Sequence, residues 1–316
     1  MKNLEMLLTW ETHPSRRLYA YEDLAATRPR FNVFTGEDER PDIPPEFRWY
    51  IERNHFGLPV FMTGVALDDD ARKKLGAEAI AYGMDQQLPD GSFPCSDLHH
   101  SAAFFFESLA RFIALAERTG AGDVEPHKDC LAKGLTWFNR RSAWNDDWWR
   151  DTLHHRFFLN PASCFLGWEL LRGRPDAPAA IHEQAYSWMA EGLRRQRPDG
   201  AHTEMGGQDT GYHSCSILYG AVVLMTCELH PDFAGELRTS LRRAADWLLP
   251  FVGDDGAVDG SLNARTGPMS DERNRETGKP KDPKPYETAF ALYGAGLVLE
   301  DDRCIETADR VVRALT

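Results

Sequence analysis

Histidine recurs along this chain beside other proton-handling or basic groups: Asn54-His55, His99-His100, His154-His155 with Arg156, and Tyr212-His213. Tyr286-Glu287 forms a fifth group of related kind. Histidine and tyrosine exchange or donate protons near neutral pH, so a pocket that gathered them would suit acid–base catalysis. Removing the proton α to a uronate carboxyl needs a base, an acid for the leaving oxygen, and cationic or amide donors that neutralise the carboxylate as charge grows. Tyr212 and His213 fit the base and the acid, and Arg265 and Asn263 fit the neutralising donors. His55, His99, His100, His155, Arg156 and Tyr286 are read as substrate-binding groups. Trp148 and Trp149, with Trp49 and Trp144, suit stacking against a sugar ring, and core packing would use them equally well.

Hydrolysis of a glycoside calls for a different set, two carboxylates of which one is protonated and one ionised. Glu204, Asp209, Glu287, Asp146 and Asp147 are the candidates. Asp209 also has a plainer use as the N-cap of the helix that follows it. Histidines from several helices could ligate zinc, yet there is no H-E-x-x-H motif and no tight Cys/His cluster, so no metal ligand and no cofactor are assigned.

The elements that must position these groups announce themselves as a repeat. Related turns occur at Asp90-Gly91, Asp199-Gly200 and Asp255-Gly256, with 109 residues from Gly91 to Gly200 and 56 from Gly200 to Gly256. The first gap is about two units of the second, which places a further member near Trp144-Asn145-Asp146-Asp147 and another near Gly36. A period of about 55 residues is the length of two helices with their connections. Apolar residues recur at helical spacing and strand signals are scarce, so the fold class is all-α.

Each unit reads as loop, first helix, turn, second helix. The first helices are expected over residues 45–66, 98–119, 153–172, 209–230 and 285–299, and the second over 69–87, 126–141, 178–195, 233–251 and 302–315. The first set is apolar nearly all round and the second carries charge on one face, which predicts an inner ring of helices wrapped by an outer one. Inner helices starting at one mouth would bring the histidine groups together. Residues 1–44 would close the ring, residues 45–316 would supply five hairpins, and the whole would be one domain. The connection 257–284 is abnormally long and rich in charge and breakers, as functional lids and disordered segments both are, and disorder over 270–284 is the alternative to a lid.

The phrases AIAYGMDQQLPDGSF, AYSWMAEGLRRQRPDG and AADWLLPFVGDDG resemble the A-x-x-W/Y-x-x-x-Q-x-x-DG-x-aromatic repeat of the (α/α) toroids. That superfamily includes terpenoid cyclases, prenyltransferase β subunits, thioester domains and several polysaccharide lyases. The resemblance covers residues 45–315 and implies an (α/α)5–6 toroid of helical hairpins; it says little about function, because the repeat is structural. An isoprenoid cyclase or prenyltransferase is one alternative that it raises. Its acidic motif is missing, since Asp68-Asp69-Asp70 falls at the start of an outer helix, where acids favour the helix dipole. The prenyltransferase zinc pattern is unmatched too, because Asp302-Arg303-Cys304 follows the last histidine.

Composition narrows the field. The net charge of −13 argues against a nucleic-acid groove while leaving room for an acidic sugar held by local arginines. No apolar run is long enough for a membrane span, and Glu5 and Glu11 fall where a signal peptide would be apolar, so a cytoplasmic location is expected. The six cysteines lack a C-x-x-C pair and read as buried free thiols. Together these features predict an enzyme acting on an acidic sugar or oligosaccharide, with lyase placed ahead of hydrolase. A sugar epimerase and a non-catalytic binding toroid are the remaining alternatives.

Overall fold

The computed structural model describes residues 1–18, 31–32, 37–38, 49–95, 98–140, 153–263 and 283–316. The turn expected near 145, the one near Gly36, and Trp144, Asp146, Asp147, Trp148, Trp149 and Arg265 lie outside the described residues.

The described chain is helical throughout apart from short pairings. It runs α1 (Leu4–Glu11), α2 (Pro14–Arg17), the hairpin β1 (Phe31–Asn32) with β2 (Glu37–Asp38), a 3-10 turn (Ile51–Phe56), α3 (Gly57–Leu67) and α4 (Asp70–Asp85). Then come α5 (Leu98–Thr119), α6 (Glu125–Arg140), α7 (Arg156–Leu171), α8 (Ala180–Arg195), the hairpin β3 (Thr203–Glu204) with β4 (Gly207–Gln208), α9 (Thr210–Thr226), α10 (Pro231–Leu248), α11 (Pro285–Leu299) and α12 (Asp302–Leu315). The helices pair as sequence periodicity predicts, α3 with α4, α5 with α6, α9 with α10, and α11 with α12. The first expected helix differs most. Its opening half is the 3-10 turn, and Pro59 stands within the first turn of α3, where a missing N–H costs no helical hydrogen bond.

Burial separates the two kinds of helix. Every residue of α9 except Tyr212 is buried. In α10 burial falls on Leu237, Ser240, Leu241, Ala244, Ala245 and Leu248, one stripe at helical spacing.

The repeated turns are one device used three times. In each, the aspartate accepts a hydrogen bond from the backbone two residues on: Asp90 from Ser92 (2.9 Å), Asp199 from Ala201 (3.1 Å), Asp255 from Ala257 (3.0 Å). The following glycine sits in the left-handed region, at φ +94° for Gly91, +97° for Gly200 and +84° for Gly256. A Cβ there would collide with a backbone carbonyl of the next outer helix, Lys133 of α6, Arg243 of α10 or Arg310 of α12. Two of the turns add a glutamine clasp. Gln87 donates to the carbonyls of Gly91 (3.2 Å) and Cys130 (3.0 Å), and Gln196 to those of Gly200 (2.9 Å) and Ser240 (2.9 Å). Each clasp fastens the end of one outer helix to the flank of the next.

The helices group into two compact units, Met1–Ala143 with Ala162–Ala185, and Trp144–Pro161 with Tyr186–Thr316. Unit 1 buries a four-residue charge cluster. Glu11 at the end of α1 meets Arg16 of α2 at 2.8 Å and also Arg111 of α5, while Arg111 meets Glu107 one turn earlier at 2.6 Å. All four side chains are buried. Burial raises the Glu107 carboxyl above its ordinary value, with Arg111 pulling the other way. The cluster ties α1 and α2 to the apolar helix α5.

Candidate functional site

Unit 2 assembles a polar site at the first turns of α9 and α11. After the Gly200 clasp the chain makes the β3–β4 hairpin, turning through Met205 (φ 48°) and Gly206 (φ 80°), both positive as primed hairpin turns require. An isolated bridge pairs Leu153 with Glu204 and so lays the segment before α7 alongside β3. That bridge brings His155 to Glu204. The His155 Nδ1 lies 3.0 Å from both carboxylate oxygens, and both side chains are essentially inaccessible. With Glu204 ionised, the shared proton belongs on Nδ1, and Nε2 becomes the basic nitrogen of the neutral ring.

Tyr212 stands in front of this pair. Its ring centroid is 4.7 Å from that of His155, and it is half-buried on a helix otherwise sealed from water. On its other side the Lys284 ammonium lies 5.3 Å from the ring centroid and 3.1 Å from the Glu287 carboxylate. The Cys215 thiol approaches the same carboxylate at 3.9 Å.

Around this cluster the backbone is tightly fixed. Asp209 caps α9, accepting from the N–H groups of Gly211 (3.0 Å) and Tyr212 (3.1 Å). Asn263 Oδ1 accepts from the Thr210 N–H (3.0 Å) and hydroxyl (2.7 Å), which pins the start of the long connection to the same turn. Ser214 reaches Thr288 at 3.2 Å and joins α9 to α11.

The structure places several predicted residues elsewhere. His213, read from sequence as the acid, points away from Tyr212 because successive helical residues diverge by about 100°. Its Nδ1 accepts from the His202 N–H (3.1 Å), its Nε2 donates to the Ala244 carbonyl (2.9 Å), and Trp247 packs on the ring at 4.4 Å. Both nitrogens are thus spent on backbone, and burial pushes the imidazole down to about 4. His213 is a structural bridge from the β3 approach to α10. Asn263 spends its amide oxygen on the Thr210 N–H and hydroxyl. Asp209 serves as the cap that sequence offered as its plainer use.

His55, His99 and His100 belong to unit 1. His55 stacks on Phe104 (5.4 Å) and bonds the Glu52 carbonyl, His100 meets Phe104 edge-on (4.9 Å), and His99 stacks flat on Trp137 (5.0 Å, 10°). Asn54 is structural, bridging Trp49 (3.2 Å) and the Ala79 carbonyl (2.9 Å). Arg156 and Tyr286 are half-buried at the starts of α7 and α11 in unit 2.

Sequence reasoning passed over two residues. His202 lies fully buried against Phe158 (4.6 Å) and His213, and burial holds it well below the ordinary histidine range. Its position two residues after the Asp-Gly turn was the available signal. Lys284 went unremarked within a run of breakers, although it directly precedes the predicted helix.

Among the described residues no group of three or more His, Cys, Asp or Glu is placed to hold a metal ion, and no helix is long and apolar enough to cross a membrane. None of the six cysteines forms a disulfide and all are buried; burial pushes the thiols of Cys130, Cys164 and Cys304 up to about 12.

No protein-family model matches this sequence, and no curated protein resembles it at significance. Solved structures do. One, described as a polysaccharide lyase, aligns at a TM-score of 0.58 and 12% identity over 96% of this chain and 82% of its own. Another, an unsaturated glucuronyl hydrolase variant with the oligosaccharide dGlcA-Glc-Rha-Glc, aligns at a TM-score of 0.58 and 15% identity over the same shares. At such identity the likeness concerns the fold, which is that of the (α/α) toroids.

Proposed function

We propose that this protein is a carbohydrate-active enzyme that processes an acidic sugar or oligosaccharide by acid–base catalysis in unit 2. The observation that carries the reading is the sealed His155–Glu204 pair set behind Tyr212, the one residue of α9 that is not buried. Tyr212 is the group that meets substrate. His155, oriented by Glu204, supports it from behind as the second proton-handling group, the role that sequence reasoning gave to His213.

β-Elimination fits these parts better than hydrolysis. The base takes the proton α to the carboxyl, the C–H electrons form the new double bond, and the glycosidic oxygen leaves with a proton from the acid. Tyr212 serves both steps, with proton and leaving group on one face of the sugar, and His155 assists through the phenol without meeting the substrate. Hydrolysis would need two available carboxylates. Among the described candidates Glu204 is bound to His155 and Asp209 to the helix cap, and Glu287 alone is partly exposed. The similar structures support a sugar substrate, one being called a polysaccharide lyase and the other a glucuronyl hydrolase. The charged rim of Lys284 and Glu287 also suits a sugar acid better than the apolar enclosure an isoprenoid cation requires.

The test is a panel of uronate-containing oligosaccharides followed by ultraviolet absorbance and by reducing ends. Elimination creates both together, whereas hydrolysis of a saturated substrate creates reducing ends alone. Full turnover by both Tyr212→Phe and Glu204→Gln would remove the assignment.

A further inference from the structure

We propose that Lys284 is the residue that recognises the substrate carboxylate, and that Glu287 occupies its place until substrate arrives. This rests on the acidic-sugar reading and names the group that makes the sugar acidic as the one selected.

Among the described residues the candidate site in unit 2 has three carboxylates, each matched differently. Glu204 faces His155 in a sealed pair, and Asp209 faces the amide groups of a helix start. Both are buried and fixed. Glu287 faces Lys284 at 3.1 Å, and this pair alone of the three reaches solvent, with side-chain exposures of 32% for the lysine and 15% for the glutamate. A pair partly open to water is held less firmly than the two sealed ones, because some water reaches it and two flexible side chains are ordered to make it. An incoming carboxylate that is also held through its sugar ring can therefore displace Glu287 without exposing any sealed charge.

The lysine is placed for the exchange. Its stem crosses the first turn of α9 at Gly211, where a Cβ would lie 3.5 Å from Lys284 Cδ. Its ammonium is 5.3 Å from the Tyr212 ring centroid. A carboxylate on Lys284 is therefore held close to the Tyr212 ring, in the neighbourhood of the group assigned to remove the α proton. The ammonium also offsets the negative charge that moves onto the carboxylate as that proton leaves.

Calorimetric titration of the full chain with a glucuronate-containing tetrasaccharide and with the same sugar after carboxyl reduction tests the idea. Wild type is expected to bind the acid at least about tenfold more tightly, the scale of one charge-assisted hydrogen bond. Lys284→Met should erase that preference while leaving affinity for the reduced sugar unchanged, and Glu287→Gln should strengthen binding of the acid by severalfold. Lys284→Gln, checked for a wild-type unfolding midpoint, serves if the methionine variant folds poorly. A preference unchanged in both lysine variants, or one lost in Arg156→Met instead, overturns the role of Lys284 while leaving the sugar reading intact. Absence of binding and of turnover with either sugar overturns both.

Discussion

Both units bury ionisable side chains, and they do so to different ends. In unit 1, Glu11, Arg16, Glu107 and Arg111 neutralise one another and are all sealed. In unit 2, His155 and Glu204 are equally sealed but lie against the half-exposed Tyr212. A buried charge cluster that contacts only structure acts as a fastener. One that contacts a solvent-facing proton donor can do chemistry, because the sealed pair fixes a protonation state that the exposed group can draw upon.

The comparison can be broken most forcefully at Arg111. Arg111→Met strands Glu107, leaving Glu11 with Arg16 alone, and should cost about 3–5 kcal/mol of stability, as loss of one member of a buried ion pair does. Turnover of the folded fraction should be unchanged, and denaturant unfolding with a parallel activity assay checks both. Tyr212→Phe should do the reverse, lowering kcat roughly 10²–10⁴-fold with an unfolding midpoint close to wild type. If either variant produced the other's result, the division between fastener and site would collapse.

Acid acts with opposite sign on His213 and on Glu107. An unfolded histidine titrates near 6.5, whereas folded His213 is held down to about 4. The stability it contributes is complete above pH 6.5 and is lost as pH falls toward 4, when the unfolded chain binds a proton that the folded one refuses. A depression of that size is worth roughly 3 kcal/mol, and His202 acts in the same direction. Glu107 acts oppositely, since its raised folded value means that protonation favours the fold as pH falls through it. Hydrogen exchange followed from pH 7 to 4 should therefore show protection falling around His213 in unit 2 before it falls around Glu107 in unit 1. The smallest expected effect concerns the turns. Gly200→Ala should cost about 2–3 kcal/mol, combining left-handed backbone with a collision at Arg243, against about 1 kcal/mol for Gly206→Ala, where nothing lies within 4 Å. Equal losses in thermal melts would show that the clasp contact contributes nothing.

How much of this was legible depends on whether a signal was local. Helix positions and the Asp-Gly turns were readable because periodicity and turn chemistry are written within a few residues. The cap role of Asp209 was equally visible, being set by its own next three residues. The choice between His155 and His213 was not, because adjacent helical residues diverge and only the partner across space decides which one meets Tyr212. The unit 1 cluster was hidden for a related reason, since Glu11 and Arg111 stand 100 residues apart. Lys284 was obscured by its neighbours Lys281, Pro283 and Pro285, which read as a solvated breaker run although the lysine itself lies against the first turn of α9.

The Asp-Gly clasp has one more consequence, for how such a scaffold can be altered. Because Gly200 is locked to α10 on one side and Asp209 to α9 on the other, residues 201–209 are an insert between two anchored joints. The same joint at Gly256 carries the far longer insert 257–284 before α11 begins. Inserts of unlike length are thus hung from Asp-Gly turns of the same backbone geometry, and an insert exchanged between those anchors should change in length and chemistry while the helices beneath keep their register.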